Sequence, residues 1–302
     1  MSKKNLKYQF LYAINQHFKE NQDKHSLKKE HLLGQATIYS YSSRSNLVDI
    51  SANFANWMKM SHPEIALVKN ISSEHIAEFL TYKSNSCSQK TLEQYKSLLH
   101  KLSLIVNSTY HCNSEYTKDI VTPKSCKNGG TKIRCDMLEY SDYQTLLKTT
   151  NMNLKNALLL SQNFGLRASE ISKLRTSDIA SDKIRIIDSK GKKNRMIPIE
   201  TVEQKQAIIS ILSSNQKKRI CNIQHESLQQ AFRRELKKNG LDSKYKNGCF
   251  HMCRKYYATT QYQKARSNAL TIKESMSRVS VLLGHGENRF ELMKEYICCP
   301  LI

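Results

Sequence analysis

The sequence predicts a mainly α-helical protein of two domains, a helical first region and an α-rich second region holding one small β-sheet. Three observations carry this reading. Only four prolines and nine glycines punctuate 302 residues, so helical runs meet few breakers. Apolar residues recur at helical spacing along most of the chain. One place alone, residues 183–199, reads as two strands around a turn.

The elements follow in order. Residues 5–19 set Leu6, Phe10, Leu11, Ile14 and Phe18 on one helical face. Residues 46–60 repeat the pattern with Leu47, Ile50, Phe54, Trp57 and Met58, and Pro63 then breaks the chain. Ser72-Ser73-Glu74 opens a third helix carrying Ile76, Phe79 and Leu80, and Ser88 to Val106 reads as a long fourth. Between about 110 and 136 the periodicity fades, and Thr122-Pro123-Lys124 and Lys127-Asn128-Gly129-Gly130 read as linker. We therefore expect domains at 1–120 and 137–302, joined by a linker at 121–136. Beyond it, helices are expected near 142–149, 153–164 and 169–174. Strands follow at Lys183–Asp188 and Arg195–Ile199, around the turn Ser189-Lys190-Gly191-Lys192-Lys193-Asn194. Further helices are expected near 201–214, 225–239, 252–265, 270–283 and 287–297.

Composition narrows the partner. There are 48 Lys+Arg against 26 Asp+Glu, a net charge of +22. Such a chain suits a polyanion, nucleic acid before a membrane surface. No apolar run is long enough to span a bilayer, so no membrane partner is expected. The N-terminus, Met-Ser-Lys-Lys-Asn-Leu-Lys-Tyr, lacks an apolar core followed by a cleavage site, which argues against secretion. The nine cysteines read as reduced cytosolic thiols. Cys249, His251 and Cys253 do not have a usual zinc spacing and lack a matching second pair, so no metal is expected.

The second region also carries a chemistry-bearing set: Gly165-Leu166-Arg167-Ala168-Ser169-Glu170, the lysine-rich turn, His251-Met252-Cys253-Arg254, Leu283-Gly284-His285 and Tyr296. Each has a plain structural explanation in isolation. Arg167 and Glu170, at i,i+3, suit a surface ion pair, and His251 with Arg254 suits a core histidine beside a surface arginine. Lys190 sits among the equally charged Lys192 and Lys193. His285 suits a helix C-terminus. Tyr296 is one of 15 tyrosines, with Tyr256, Tyr257 and Tyr262 as competitors. As a set they suit attack on a DNA phosphate. Two guanidiniums grip a phosphodiester with paired hydrogen bonds, and a tyrosine forms a covalent link without metal or ATP.

In this order the motifs resemble the tyrosine recombinase (phage integrase) family, over roughly 137–302. The first region is similar in pattern to that family's helical core-binding (SAM-like) domain, with an additional helix at 5–19. The resemblance implies Arg167 as first catalytic arginine with Glu170 as acidic companion, and Lys190 as hairpin lysine. It further implies His251 and Arg254 as the histidine–arginine pair, His285 as later histidine and Tyr296 as nucleophile. The segment near 265–275, with Lys264, Arg266 and Lys273 in and around it, lengthens the gap from Arg254 to His285. The gap from His285 to Tyr296 is also slightly long, and the tail after Tyr296 is short for exchange between subunits.

The implied activity is site-specific DNA recombination or integration through a 3′-phosphotyrosyl intermediate, with no cofactor. In it His251 accepts the tyrosine proton or hydrogen-bonds the phosphate, Lys190 (or Lys192 or Lys193) protonates the departing 5′-hydroxyl, and His285 adds a donor. The partners implied are double-stranded DNA, further copies forming a homotetramer on paired sites, and accessory DNA-bending proteins. The expected setting is cytoplasmic and nucleoid-associated, in a bacterium, phage or mobile element. Two alternatives share the resemblance: a catalytically silent DNA-binding relative, and DNA relaxation of the type IB topoisomerase kind.

Overall fold

The computed structural model describes residues 5–20, 22, 27, 30–32, 34–127, 136–187, 189, 194–214 and 218–301. The chain divides into two compact units, Met1–Thr131 and Lys132–Ile302.

Among its described residues the first unit is built on four helices: α1 Leu6–Gln16, α2 Tyr41–Ser61, α3 Ser73–Ser84 and α4 Gln89–Tyr110. Their starts are set by short polar side chains. Asn5, Ser40 and Ser88 each accept the backbone N–H three residues on, which satisfies an otherwise orphaned donor. The apolar faces meet in one core in which Phe10, Ile14, Phe54, Phe79, Leu99 and Leu102 are fully buried. Phe54 touches Phe10, Trp57 and Phe79 ring to ring, so truncating it to alanine costs about 3–5 kcal/mol. The second helix starts five residues earlier than its apolar spacing predicts. Its first turn, Tyr-Ser-Ser-Arg-Ser, carries no apolar stripe and is held by the Ser40 cap.

The second unit opens with α5 Tyr140–Thr149, α6 Met152–Phe164 and the short α7 Ala168–Ile171. The last of these is shorter than the predicted 169–174. The chain instead turns at Leu174 into a 3₁₀ turn, Thr176–Asp178, where the Asp178 carboxylate accepts the Arg175 amide at 2.9 Å. Strands β1 Lys183–Ile186 and β2 Arg195–Pro198 pair antiparallel, with Ile184 opposite Ile197 and Ile186 opposite Arg195. Helices α8 Val202–Ser214, α9 His225–Lys238, α10 His251–Ser267, α11 Ile272–Leu282 and α12 Phe290–Tyr296 complete it. The last begins three residues later than predicted, because Gly286 and Asn288 adopt positive φ (82° and 57°) and break the helical run.

Two apolar clusters hold this unit. The larger joins α5, α6, the strands, α8, α9 and the start of α10. The smaller is formed by Tyr257, Tyr262, Met276, Val279, Leu283, Met293, Tyr296 and Ile297. Helix α10 packs on α6 at one side and on α11 and α12 at the other, so it passes between the two clusters. No helix among the described residues is long and apolar enough to cross a membrane.

Candidate active site

The site begins where α6 stops. Gly165 ends the helix in the left-handed conformation (φ 64°), which only glycine adopts without strain. A Cβ there would stand 2.9 Å from Tyr257 Cε1 and closer still to Cδ1. Leu166 is fully buried, and its carbonyl accepts the Ser161 hydroxyl at 3.1 Å. The chain is thus pinned on both sides of the next residue, Arg167.

Arg167 caps α7 in extended conformation, and Glu170 folds back onto it. The Arg167 amide donates to Glu170 Oε2 at 2.8 Å and its Nη1 to Oε1 at 2.9 Å. The carboxylate is almost fully buried and also accepts Ser189 Oγ at 2.5 Å. Arg195 meets it with both terminal nitrogens, Nη1 to Oε1 at 2.6 Å and Nη2 to Oε2 at 2.9 Å. Burial pushes this carboxyl up, but the Arg195 hydrogen bonds and charge, the Arg167 amide and the nearby Arg254 charge outweigh it. Glu170 is held well below the ordinary carboxylate range and is ionised at neutral pH.

Arg254, in the first turn of α10, is fully buried. Its guanidinium donates to two backbone carbonyls, Nη1 to Gly165 O and Nη2 to Leu283 O, the latter at 2.5 Å. Burial first, then the Arg167 charge, push its pKa down to about 10, so it keeps its charge at neutral pH. Because its acceptors are the carbonyls before two motif residues, one guanidinium ties together the corners carrying Arg167 and His285.

His285 follows Gly284, which is itself left-handed (φ 71°). Its Nε2 lies 3.1 Å from Arg167 Nη2, 3.5 Å from Arg254 Nη2 and 3.1 Å from the Tyr296 hydroxyl. Guanidinium N–H groups only donate, so Nε2 is an acceptor here and the ring proton sits on Nδ1. The Tyr296 hydroxyl, facing that same nitrogen, donates to it. Tyr296 is the last residue of α12 and is 6% exposed. The Arg254 guanidinium lies 5.6 Å from its ring centroid, and His251 meets the ring edge-on with centroids 4.8 Å apart.

Five of the residues singled out in the sequence, Arg167, Glu170, Arg254, His285 and Tyr296, therefore form one connected cluster. His251 joins it through the tyrosine ring, and His285 is the imidazole in hydrogen-bond contact with the phenol. Lys190, Lys192 and Lys193 lie outside the described residues. The competing tyrosines stand elsewhere: Tyr256 stacks on Tyr140, Tyr257 packs beneath Gly165, and Tyr262 is buried in the smaller apolar cluster.

Two members of the cluster were missed, Arg195 and Ser189. A signal for Arg195 was present. In Arg-Met-Ile-Pro-Ile, period-two alternation puts Arg195 in phase with the buried Ile197 and Ile199, so a charge stands on an inward-facing position. Ser189 offers no such signal.

With these parts in place, the fold is that of the tyrosine recombinases. Residues 136–285 match the family model described as phage integrase family, and the chain belongs to that family. Among solved structures, it is similar to a lambda integrase dimer bound to a COC' core site (TM-score 0.65, 17% identity, 90% of this chain and 76% of that one). It is also similar to a lambda integrase tetramer bound to a Holliday junction (TM-score 0.64, 15% identity, 92% and 77%). A third similar structure is the Tn1549 transposon integrase in complex with a circular intermediate DNA (TM-score 0.62, 11% identity, 95% and 94%). No curated protein sequence matches the chain.

Proposed function

We propose that this protein is a site-specific DNA recombinase that breaks and rejoins DNA through a 3′-phosphotyrosyl intermediate at Tyr296. One observation supports it above all: the Tyr296 hydroxyl and the two arginines Arg167 and Arg254 converge on the single nitrogen His285 Nε2. An arginine pair and a phenol oxygen gathered on one imidazole nitrogen are suited to a phosphodiester and a nucleophile for it.

The steps follow from the geometry. The two guanidiniums donate to the non-bridging phosphate oxygens. His285 Nε2, which the Tyr296 hydroxyl already faces at 3.1 Å, accepts the phenol proton as the Tyr296 oxygen attacks phosphorus. The bond to the 5′ oxygen breaks, and the hairpin lysine, Lys190 or its neighbours Lys192 and Lys193, supplies that oxygen's proton. His251, edge-on to the phenol ring, contributes a donor to the phosphate. A phosphotyrosine diester replaces a phosphate diester, so a 5′-hydroxyl of another duplex reverses the step without cofactor or metal. Exchange between two duplexes needs four such sites, which supports a homotetramer on paired sites. The first region, about 1–120, serves as the helical core-binding domain and residues 121–136 as the linker to the catalytic domain, 137–302.

The test is covalent trapping. Incubated with a nicked suicide substrate carrying its target site, the wild-type chain forms a protein–DNA adduct that survives denaturation. Tyr296→Phe binds the same DNA and forms none. An adduct at wild-type yield from Tyr296→Phe would remove Tyr296 as nucleophile.

A further inference from the structure

Arg195 was given no role in the sequence analysis, yet its side chain meets Glu170, Ser189 and the Gly284 corner. It bridges both oxygens of Glu170, the carboxylate that in turn holds the Arg167 amide and guanidinium. Its Nη1 is 3.4 Å from Ser189 Oγ, at the residue just before Lys190. It also lies against the other corner: a Cβ on Gly284, the residue before His285, would stand 3.0 Å from both Arg195 Cδ and Nη1. Its side chain is only 11% exposed. A buried arginine on the apolar face of a strand is costly unless fully paired. Here the two terminal nitrogens pair with a residue that positions another arginine, while the buried Nε has no hydrogen-bond partner among the described residues.

We propose that Arg195 is a positioning residue for strand cleavage: acting through Glu170 and Ser189, it fixes Arg167, the base of the β1–β2 turn and the Gly284–His285 corner relative to one another. The inference rests on the Tyr296 chemistry proposed above. It assigns Arg195 no phosphate of its own. Both terminal nitrogens already face the carboxylate, and β2 anchors the side chain from below.

The geometry has an energetic counterpart. Burial alone pushes Glu170 up, and Arg195 makes the largest contribution pulling it down. Without Arg195 the carboxyl rises, and once protonated it holds Arg167 with one oxygen acceptor fewer. Loss of Arg195 thus adds an acid limb to the pH dependence of cleavage.

The experiment uses the full chain, a suicide DNA substrate at saturating concentration, and single-turnover adduct formation well below the thermal midpoint of every variant. Arg195→Gln is expected to slow adduct formation by about 10²-fold, the scale of a small misplacement of a catalytic group. Its DNA affinity should keep the wild-type salt slope, whereas loss of a direct phosphate contact would flatten that slope by about 0.9. Arg195→Lys recovers part of the rate, since an ammonium still reaches one carboxylate oxygen. In the Glu170→Gln background the Arg195→Gln substitution adds little further loss. A wild-type rate in Arg195→Gln, a flattened salt slope, or losses that add independently would each overturn the proposal. If Arg195→Gln does not fold, Arg195→Lys decides: a rate equal to wild type sinks the idea, and a partial rate with an acid limb supports it. Absence of any adduct from the wild-type chain removes the phosphotyrosyl reading as well, while a normal wild-type adduct with indifferent Arg195 variants removes only this inference.

Discussion

Gly165→Ala isolates the corner on which the arginines depend. Two effects add there. Holding an alanine at φ 64° costs about 1–2 kcal/mol relative to right-handed backbone. The new methyl also meets the Tyr257 ring within 2.9 Å and Leu283 Cδ2 at 3.1 Å, where every neighbour is buried. Inserting a methyl into filled space costs about 1–3 kcal/mol. Together the loss is about 2–5 kcal/mol, a large part of the stability of a domain. For a unit of this size the thermal midpoint should fall by about 4–20 °C. Thermal unfolding followed by far-ultraviolet circular dichroism measures it. The chain's single tryptophan, Trp57, lies in the first unit, so its fluorescence tracks that unit separately. Adduct formation by the folded fraction should also slow, because the Gly165 carbonyl is an acceptor of Arg254. A second-unit midpoint that moves by less than about 2 °C, with cleavage intact, would refute the argument from the Gly165 corner.

Three further outcomes are expected. Arg167→Ala loses about 3–4 kcal/mol of transition-state stabilisation in single-turnover cleavage, the scale of removing an oxyanion donor, and normal cleavage would show that Arg167 does not meet the phosphate. Glu170→Gln destabilises the second unit by about 3–5 kcal/mol at pH 6, since it breaks one side of a buried ion pair. The folded pKa of Glu170 is depressed, so the carboxylate stabilises the fold above its ordinary value of 4.5 and that contribution is lost as pH falls below it. Urea titrations should therefore find the gap between wild type and Glu170→Gln narrowing from pH 6 to pH 3; a gap that stays constant would refute the sign. DNA affinity measured against salt should fall on a log–log line of slope about −0.9 per phosphate neutralised, and a flat line would exclude the polyanion reading of the +22 charge.

Much of this was legible in the sequence because its signals are local. Leu6, Phe10 and Ile14 repeat at helical spacing whatever lies around them, and Ser88 opens its helix as expected, whereas the second helix starts earlier than its apolar stripe because Ser40 caps a turn that carries no such stripe. Gly165 and Gly284 each follow an expected helix, and both have positive φ. What sequence spacing does not carry is which side chains meet across the fold. Arg167 with Glu170 reads as an exposed i,i+3 pair, yet Ser189 and Arg195, some 20 residues on, turn it into a buried network. Arg254 reads as a surface arginine, and it is buried because Gly165 and Leu283, 89 and 29 residues away, supply its acceptors. The sequence also does not carry that His285 Nε2 stands 3.1 Å from the Tyr296 hydroxyl, because position along the chain does not say how α11 and α12 bring these two side chains together.

The charge count of the cluster bears on why such an arrangement is kept. Three guanidiniums, of Arg167, Arg195 and Arg254, surround one carboxylate, Glu170, so among the described residues the cluster carries two positive charges beyond that carboxylate. Arg254 is held by carbonyl dipoles, which orient it while leaving its charge intact. A phosphodiester brings one negative charge, and its pentacovalent transition state a second, so the surplus matches the transition state better than the bound substrate. Because the side chains are locked by α6, β2 and the Gly284 corner before DNA arrives, little reorganisation is needed when that charge develops, which is where preorganised electrostatics is most effective. The same surplus opposes folding of the free protein. On this view Glu170 and Arg195 are complementary halves of one device: the carboxylate aims Arg167, and Arg195 returns the charge that the carboxylate would otherwise take from the site.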